Sequence, residues 1–215
     1  MKKNPFKAIM ENNESPYGYK LFTKPFGDKP IDGLGKMGTG DFLPNMLENG
    51  AIYNHGSQLF LLRALAKVGD HKNFYKVLNY ALPYNQKFHS EKDSCAPMYA
   101  VTNCYLLVPY FLGRSGMIFL TGSIAMIMRS IYNWMFGINF NMNSLLLKPC
   151  LPKQYEDSVV KFKYQNKNIA IKYKGFGGKI EQVLLNNKEI CSTISFAEIN
   201  KNLLTINTEI VVILK

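Results

Sequence analysis

The apolar residues in the first two thirds of the chain recur with the period of a helix. Residues 57–68 are apolar on almost every side and Gly69 ends the segment, which predicts a helix buried on most of its surface. Residues 73–82 carry apolar side chains at helical spacing, and residues 122–136 form a third apolar segment. This part of the chain is therefore predicted to be helical, with residues 83–120 connecting the second and third helices as long loops.

The period changes to two after about residue 145. Residues 160–164 alternate apolar side chains with lysines, which is typical of a strand with one buried face. Asn186-Asn187 predicts a hairpin turn, because asparagine tolerates a positive φ. The strands of the resulting small antiparallel sheet are predicted over residues 160–164, 169–173, 180–185, 203–206 and 209–214.

The order of the predicted elements indicates an α+β chain with two regions, residues 1–144 and 145–215. A helix that is apolar on all sides needs neighbours all around it, and three helices cannot supply them. We therefore expect either that other subunits complete the helical core or that the chain is the C-terminal piece of a longer protein.

The charge of the chain does not add nucleic-acid binding to the predicted functions. The net charge is +11, yet only three of the 26 basic residues are arginine. Proteins that read nucleic acids rely on arginine and on clustered basic patches, whereas these lysines are scattered through both regions. Nucleic-acid binding is therefore not expected.

Cysteine spacing and hydropathy argue against three further classes. The four cysteines show no Cys-x-x-Cys spacing, so no metal site is expected. Residues 117–136 are the most lipid-like stretch, but Arg129 and several polar residues interrupt it, which favours a buried helix over a membrane span. Lys2 and Lys3 are not followed by the apolar segment of a secretory leader, so we expect a cytoplasmic protein.

The segment around residue 122 carries the chemistry of an anion site. Thr121, Gly122 and Ser123 begin an apolar helix, and the first N–H groups of a helix lack internal partners while the helix dipole is positive there. Far upstream, Glu48 and His55 add a carboxylate and an imidazole. Each residue also has a structural interpretation: Thr121 can be an N-cap, Glu48 a capping carboxylate, and a lone histidine is more often a hydrogen-bonded structural residue.

Four segments occur together in a recognisable order: residues 48–55 (ENGAIYNH), 113–114 (GR), 119–123 (FLTGS) and 147–152 (LKPCLP). They resemble the C-terminal end of glycoside hydrolase family 94. That family contains cellobiose and chitobiose phosphorylases, together with the phosphorylase-like end of cyclic β-1,2-glucan synthases. The resemblance extends over nearly the whole chain from about residue 33.

The resemblance implies an (α/α)6 barrel followed by a small antiparallel β-sandwich-like domain. This chain would hold the last helices and active-site loops of the barrel in residues 1–144 and the C-terminal β domain in residues 145–215. It also implies inverting phosphorolysis, in which inorganic phosphate attacks the anomeric carbon of a β-linked glucoside or oligosaccharide. Inorganic phosphate is then a co-substrate, and no other cofactor is expected.

The resemblance further implies roles for individual residues. His55, Thr121 and Gly122 would hold the phosphate, and Glu48 would bind sugar hydroxyls, a role that suits a carboxylate because it accepts two hydrogen bonds at once. The weaker candidates are Arg114, Asn54 and Ser123.

The catalytic acid of the family is not among these residues. It lies in an Asp-Trp-Asn-Asp-type segment, whereas the only tryptophan here is Trp134 in the third predicted helix. General acid catalysis is worth roughly 10²–10⁴-fold in rate, so we expect the chain to be inactive alone and to require an N-terminal partner that completes the barrel. Two hypotheses follow: a C-terminal portion of a phosphorylase or β-glucan synthase-like enzyme, or a degenerate, non-catalytic carbohydrate- or phosphate-binding remnant.

Overall fold

A computed structural model describes residues 5–25, 44–46, 49–118 and 121–215. Glu48 lies outside these ranges, as does the side chain of Thr121. The described chain forms two compact units, the first from Met1–Leu61 and Lys76–Ile127, the second from Leu62–Tyr75 and Met128–Lys215. The predicted division into residues 1–144 and 145–215 stays a prediction.

The described residues contain five α-helices. They are α1 (Pro5–Asn12), α2 (Leu59–Val68), α3 (His71–Ala81), α4 (Glu91–Ser94) and α5 (Thr121–Arg129). The three predicted helices are confirmed as α2, α3 and α5, and Gly69 ends α2 with a φ of +75°. Two π-helical turns adjoin them, Asn54–Gln58 before α2 and Ser130–Met135 after α5. The first and third predicted helices are therefore each part α and part π.

The sequence predicted apolar helices that need neighbours all around them, and α2 and α5 each keep apolar residues uncovered in the described part of the chain. Leu59, Leu62 and Leu65 of α2 are fully buried, but Phe60 on the same helix is 50% exposed. On α5, Ile124 is 48% exposed. The apolar residues on the second side of each helix find no covering element within the described part of the chain, so each helix is buried on one face only.

The predicted loop region between α3 and α5 contains short strands. In the first unit, β1 (Glu14–Ser15) and β2 (Gly18–Tyr19) form a hairpin, and β3 (Ile52–Tyr53), β4 (Cys104–Tyr105) and β5 (Ser115–Gly116) form an antiparallel sheet in the order β3-β4-β5. Because β3 pairs with β4, the π-helical turn after β3 begins beside the chain segment that precedes β4.

The second unit contains two sheets. A five-stranded sheet has the order β11-β10-β13-β9-β8, and a three-stranded sheet has the order β12-β7-β6. Their strands are β6 (Ile138–Phe140), β7 (Ser144–Leu147), β8 (Val159–Tyr164), β9 (Lys167–Lys174), β10 (Ile180–Leu185), β11 (Lys188–Ile194), β12 (Ala197–Asn200) and β13 (Asn207–Leu214). The core of the larger sheet includes Ile171, Tyr173 and Val212, which are buried.

Two predictions about these strands need correction. The sheet is not wholly antiparallel, because β9 and β13 pair in parallel, with Ala170 opposite Glu209. The strand predicted over residues 203–206 is absent from the described chain, where a turn leads into β13. In that turn, the Thr205 N–H donates to the Thr208 hydroxyl (2.8 Å), and the Thr205 hydroxyl donates to the Asn207 carbonyl (2.8 Å). Such local side-chain bonds compete with a strand ladder.

The hairpin between β10 and β11 is confirmed at Asn186 and Asn187, whose φ angles are 49° and 66°. The mixed α+β class is also confirmed, and most strand pairs are antiparallel. Among the described residues, no helix has the length and apolar character needed to cross a membrane.

Candidate functional site

The ring of His55 lies against Gly122 at the first turn of α5. His55 belongs to the π-helical turn Asn54–Gln58, and α5 begins at Thr121. A Cβ atom added to Gly122 would lie 3.3 Å from both Cε1 and Nδ1 of the His55 ring. Because glycine has no side chain, nothing at position 122 separates the imidazole from the first backbone N–H groups of the helix.

A second ring contact limits the orientation of His55. The Phe60 ring lies edge-on to it, with centroids 6.0 Å apart and an interplanar angle of 64°. His55 is half-buried, and no described residue forms a hydrogen bond with either ring nitrogen. The imidazole is thus held in place by packing, while its nitrogens keep their capacity to bind an anion.

Asn54 fixes the π-helical turn in a buried network. Its backbone N–H donates to the Asn103 carbonyl (2.7 Å), and its side-chain Nδ2 donates to the Thr102 carbonyl (2.8 Å). The Gln58 amide donates to Asn54 Oδ1, and Gln58 Oε1 accepts from the Tyr19 N–H at 3.2 Å. The fully buried Asn54 side chain is therefore used for structure, and the structure does not present it to a ligand.

Ser123 is joined to the same network. Its hydroxyl donates to Asn103 Oδ1 at 2.7 Å, and the Ser123 side chain is fully buried. Asn103 consequently bridges the two segments, because its backbone carbonyl accepts from Asn54 and its side chain accepts from Ser123. This bridge is the physical reason that residues 55 and 122 meet although they are distant in sequence.

Comparison with known proteins gives the family of the chain. Residues 2–137 match the family model of the glycosyl hydrolase 94 superfamily, catalytic domain. The match covers more than half of the chain and includes both His55 and Gly122. The chain belongs to the glycosyl hydrolase 94 superfamily.

Curated relatives of this family 94 chain are disaccharide phosphorylases. It is 24% identical to solabiose phosphorylase of Paenibacillus borealis over 191 residues, which is 87% of this chain and 24% of that protein. It is 24% identical to cellobionic acid phosphorylase of Neurospora crassa, over 80% of this chain and 22% of that protein. It is 27% identical to N,N'-diacetylchitobiose phosphorylase of Vibrio proteolyticus, over 69% of this chain and 18% of that protein. The chain thus spans about a quarter of the length of these relatives or less.

Arg114 of the family 94 chain is exposed at a turn. Its guanidinium carbon lies 5.4 Å from the centroid of the Phe111 ring, and none of its described contacts joins it to His55 or Gly122. The preceding Gly113 has a φ of +79°, and an added Cβ would lie 2.4 Å from the Tyr17 ring. The glycine of this motif is therefore explained by close packing.

The first unit of the family 94 chain also contains a histidine that sequence reasoning missed. His89 is 3% exposed and stacks on Tyr105, with ring centroids 3.9 Å apart. Its Nε2 lies 2.5 Å from the Tyr80 carbonyl, while its buried Nδ1 has no described partner. Burial lowers the pKa of His89 to about 4, against a smaller opposing effect of the hydrogen bond to Tyr80. His89 lies in a segment of turns between α3 and α4. Such a segment has no helical or strand period, so the sequence pattern did not indicate that this histidine is buried.

Proposed function

We propose that this chain is the C-terminal portion of an inverting glycoside phosphorylase, which transfers a glycosyl group between a β-linked glucoside and inorganic phosphate. The observation that carries the proposal is the contact of His55 with Gly122 at the start of α5. The family membership and the phosphorylase relatives support it. A related β-glucan synthase-like activity would use the same residues.

In the proposed site, phosphate binds at the N-terminus of α5, where it accepts from the backbone N–H groups of Thr121 and Gly122 and from the adjacent His55 imidazole. The helix N-terminus and the imidazole each supply donors to an anion. The absent Cβ of Gly122 lets phosphate approach the helix backbone. Glu48 is proposed to bind hydroxyls of the sugar.

The proposed reaction needs few groups from this chain. A phosphate oxygen forms a bond to the anomeric carbon while the bond from that carbon to the glycosidic oxygen breaks, and an aspartic acid protonates the departing oxygen. Because phosphate is the nucleophile, no carboxylate has to activate water as in an inverting hydrolase. The aspartic acid is proposed to come from an N-terminal partner that completes the barrel.

Phosphate affinity, measured by isothermal titration calorimetry, tests this proposal. We expect His55→Ala to weaken binding about tenfold through a lost charge-assisted hydrogen bond. Gly122→Val is expected to abolish binding, because the branched side chain would displace the His55 ring and block the approach of phosphate to the helix backbone. Equal affinity in wild type and both variants would contradict the assignment.

Two matched variants serve as controls. His71 is also half-buried and also packs edge-on against a phenylalanine, Phe176, with centroids 5.5 Å apart and an interplanar angle of 65°. His71→Ala therefore matches His55→Ala in chemistry outside the site. Ala125→Val places valine at an exposed position of α5, so it reports the cost of a β-branched residue in that helix. Both controls should bind phosphate as the wild type does.

The alternative function is a non-catalytic carbohydrate- or phosphate-binding remnant with the same anion site. Both functions are compatible with the lack of an Asp-Trp-Asn-Asp-type segment in the 215 residues. The genomic sequence directly upstream discriminates the two: a reading frame that encodes the rest of the barrel and this segment supports the enzyme. Phosphate binding without any such frame supports the remnant.

A further inference from the structure

A small pocket in the second unit combines basic, amide and aromatic side chains. Its volume is about 250 Å³, below the roughly 300–1,000 Å³ typical of sites for drug-sized ligands, so it suits a ligand of the size of one sugar. None of its lining residues belongs to the candidate phosphate site. Its lining residues include Arg63, Lys67, Asn133, Trp134, Asn139 and Lys148.

The pocket is lined by α2, by the second π-helical segment, by β6 and by the residue that follows β7. Arg63 and Lys67 are four residues apart on α2, so their side chains lie on one helix face. The Lys148 N–H donates to the Gly137 carbonyl at 2.9 Å. Gly137 has a φ of +70°, and an added Cβ would lie 2.1 Å from the Lys148 carbonyl carbon. This close approach places Lys148 beside the turn that joins the π-helical segment, which carries Asn133, to β6, which carries Asn139.

The charge of the pocket has one sign. Three of its lining residues are basic and none is acidic. Arg63, Lys67 and Lys148 form no ion pair with any described carboxylate, and all three are exposed. Three uncompensated cations around one concavity attract an anionic group.

The two amides offer acceptors to the same space. Asn133 Nδ2 donates to the Ile138 carbonyl (2.8 Å), and Asn139 Nδ2 donates to the carbonyls of Asn133 (3.0 Å) and Gly137 (3.2 Å). These bonds fix which way each amide points, because the NH₂ groups face backbone oxygens. Neither Oδ1 atom accepts a hydrogen bond from a described residue, so both remain able to accept from hydroxyl groups.

Trp134 completes the pocket with an apolar surface. It is half-buried and is the only tryptophan in the chain. An aromatic ring beside a few convergent polar groups is the usual composition of a small-molecule site. The combination of cations, hydroxyl acceptors and an aromatic ring matches a sugar that also bears a negative charge.

We propose that this pocket binds an anionic monosaccharide. The phosphate or carboxylate of the ligand pairs with Arg63, Lys67 and Lys148, its hydroxyls donate to the two asparagine oxygens, and its ring packs against Trp134. The site is separate from the proposed phosphate site, so it does not depend on the proposed phosphorylase activity.

The lone tryptophan makes the test direct, because Trp134 lines this pocket and no other tryptophan contributes to the fluorescence. The full chain is titrated with glucose 1-phosphate, glucuronate, glucose and inorganic phosphate. We expect a saturable change with one or both anionic sugars, and the sugar that binds identifies the preferred anion. Glucose and inorganic phosphate should require at least roughly tenfold higher concentrations, because each lacks half of the recognised groups.

Variants locate the binding. Arg63→Ala should weaken the anionic sugar about tenfold, whereas Lys174→Ala, which removes an exposed lysine outside the pocket, should leave the affinity unchanged. His55→Ala should also leave the Trp134 titration unchanged. The proposal is overturned if the Trp134 fluorescence shows no saturable change, or if inorganic phosphate or glucose binds as tightly as the anionic sugar. It is also overturned if Arg63→Ala and Lys174→Ala change the affinity equally, or if His55→Ala abolishes the fluorescence change.

Discussion

Acidification should destabilise the first unit through His89. This histidine is 3% exposed, and burial lowers its pKa to about 4, against about 6.5 in an unfolded chain. Between these values the unfolded state binds a proton that the folded state does not, so the free energy of unfolding falls as the pH falls. The contribution of neutral His89 is fully present above about pH 6.5 and is lost as the pH approaches 4.

The size of the effect follows from the two pKa values. Linkage gives a loss of about 2 kcal/mol between pH 7.5 and pH 5, and of about 3 kcal/mol by pH 4. The perturbation is His89→Phe, which keeps a ring against Tyr105 but removes the titrating group and the hydrogen bond to the Tyr80 carbonyl. The variant should be less stable at pH 7.5 and should lose much less stability on acidification.

Urea unfolding followed by circular dichroism at several pH values measures this difference. The wild type and the variant share the neighbouring contacts of Glu14, which accepts from the Tyr80 hydroxyl at 3.0 Å and pairs with Lys76 at 2.7 Å. Subtracting the curve of the variant from that of the wild type removes their shared contribution. Parallel curves between pH 7.5 and 5 would refute the reasoning, because they would mean that His89 takes up its proton equally in both states.

Three further outcomes are expected. Gly137→Ala should lower the free energy of unfolding by at least ~2 kcal/mol, because the added Cβ would lie 2.1 Å from the Lys148 carbonyl carbon. Gly69 has a similar positive φ, but its added Cβ would have no atom within 4 Å. Gly69→Ala should therefore lower the free energy of unfolding by less in the same urea experiment. Gly122→Ala should weaken phosphate binding in calorimetry without lowering stability, since alanine favours the helix but crowds His55 at 3.3 Å; unchanged affinity would contradict this. The chain alone should not catalyse phosphorolysis of cellobiose or chitobiose, measured as release of the sugar 1-phosphate. Turnover would show that a general acid is present within the chain.

Four strands of the larger sheet, β8, β9, β10 and β13, could be predicted from sequence, whereas the strands of the smaller sheets could not. β8 and β9 carry apolar residues at every second position, and β10 was predicted with its observed bounds. β7 reads SLLL and is buried at three of its four positions, so it has no alternation to detect. The parallel pairing of β9 with β13 joins residues about forty positions apart, and no local pattern encodes such a partner.

The candidate site was predictable only through the family motifs. His55 and Gly122 were both selected from sequence, but their contact depends on Asn103, which accepts from Asn54 and Ser123. Sequence reasoning offered Asn54 and Ser123 as weaker candidate ligands because they belong to the two motif segments that contain His55 and Gly122. Their burial assigns them to the bridge that holds the site together, and burial of a polar side chain follows from tertiary packing that local sequence does not reveal.

Whether His55 and Gly122 form one phosphate site can be measured by following the backbone amides of α5 in ¹H–¹⁵N NMR spectra during a titration with inorganic phosphate. We expect saturable shifts of the Thr121 and Gly122 amides that are lost in His55→Ala and retained in His71→Ala. Absence of any shift at Gly122, or shifts spread over lysine-rich strands such as β8 without saturation at α5, would contradict it.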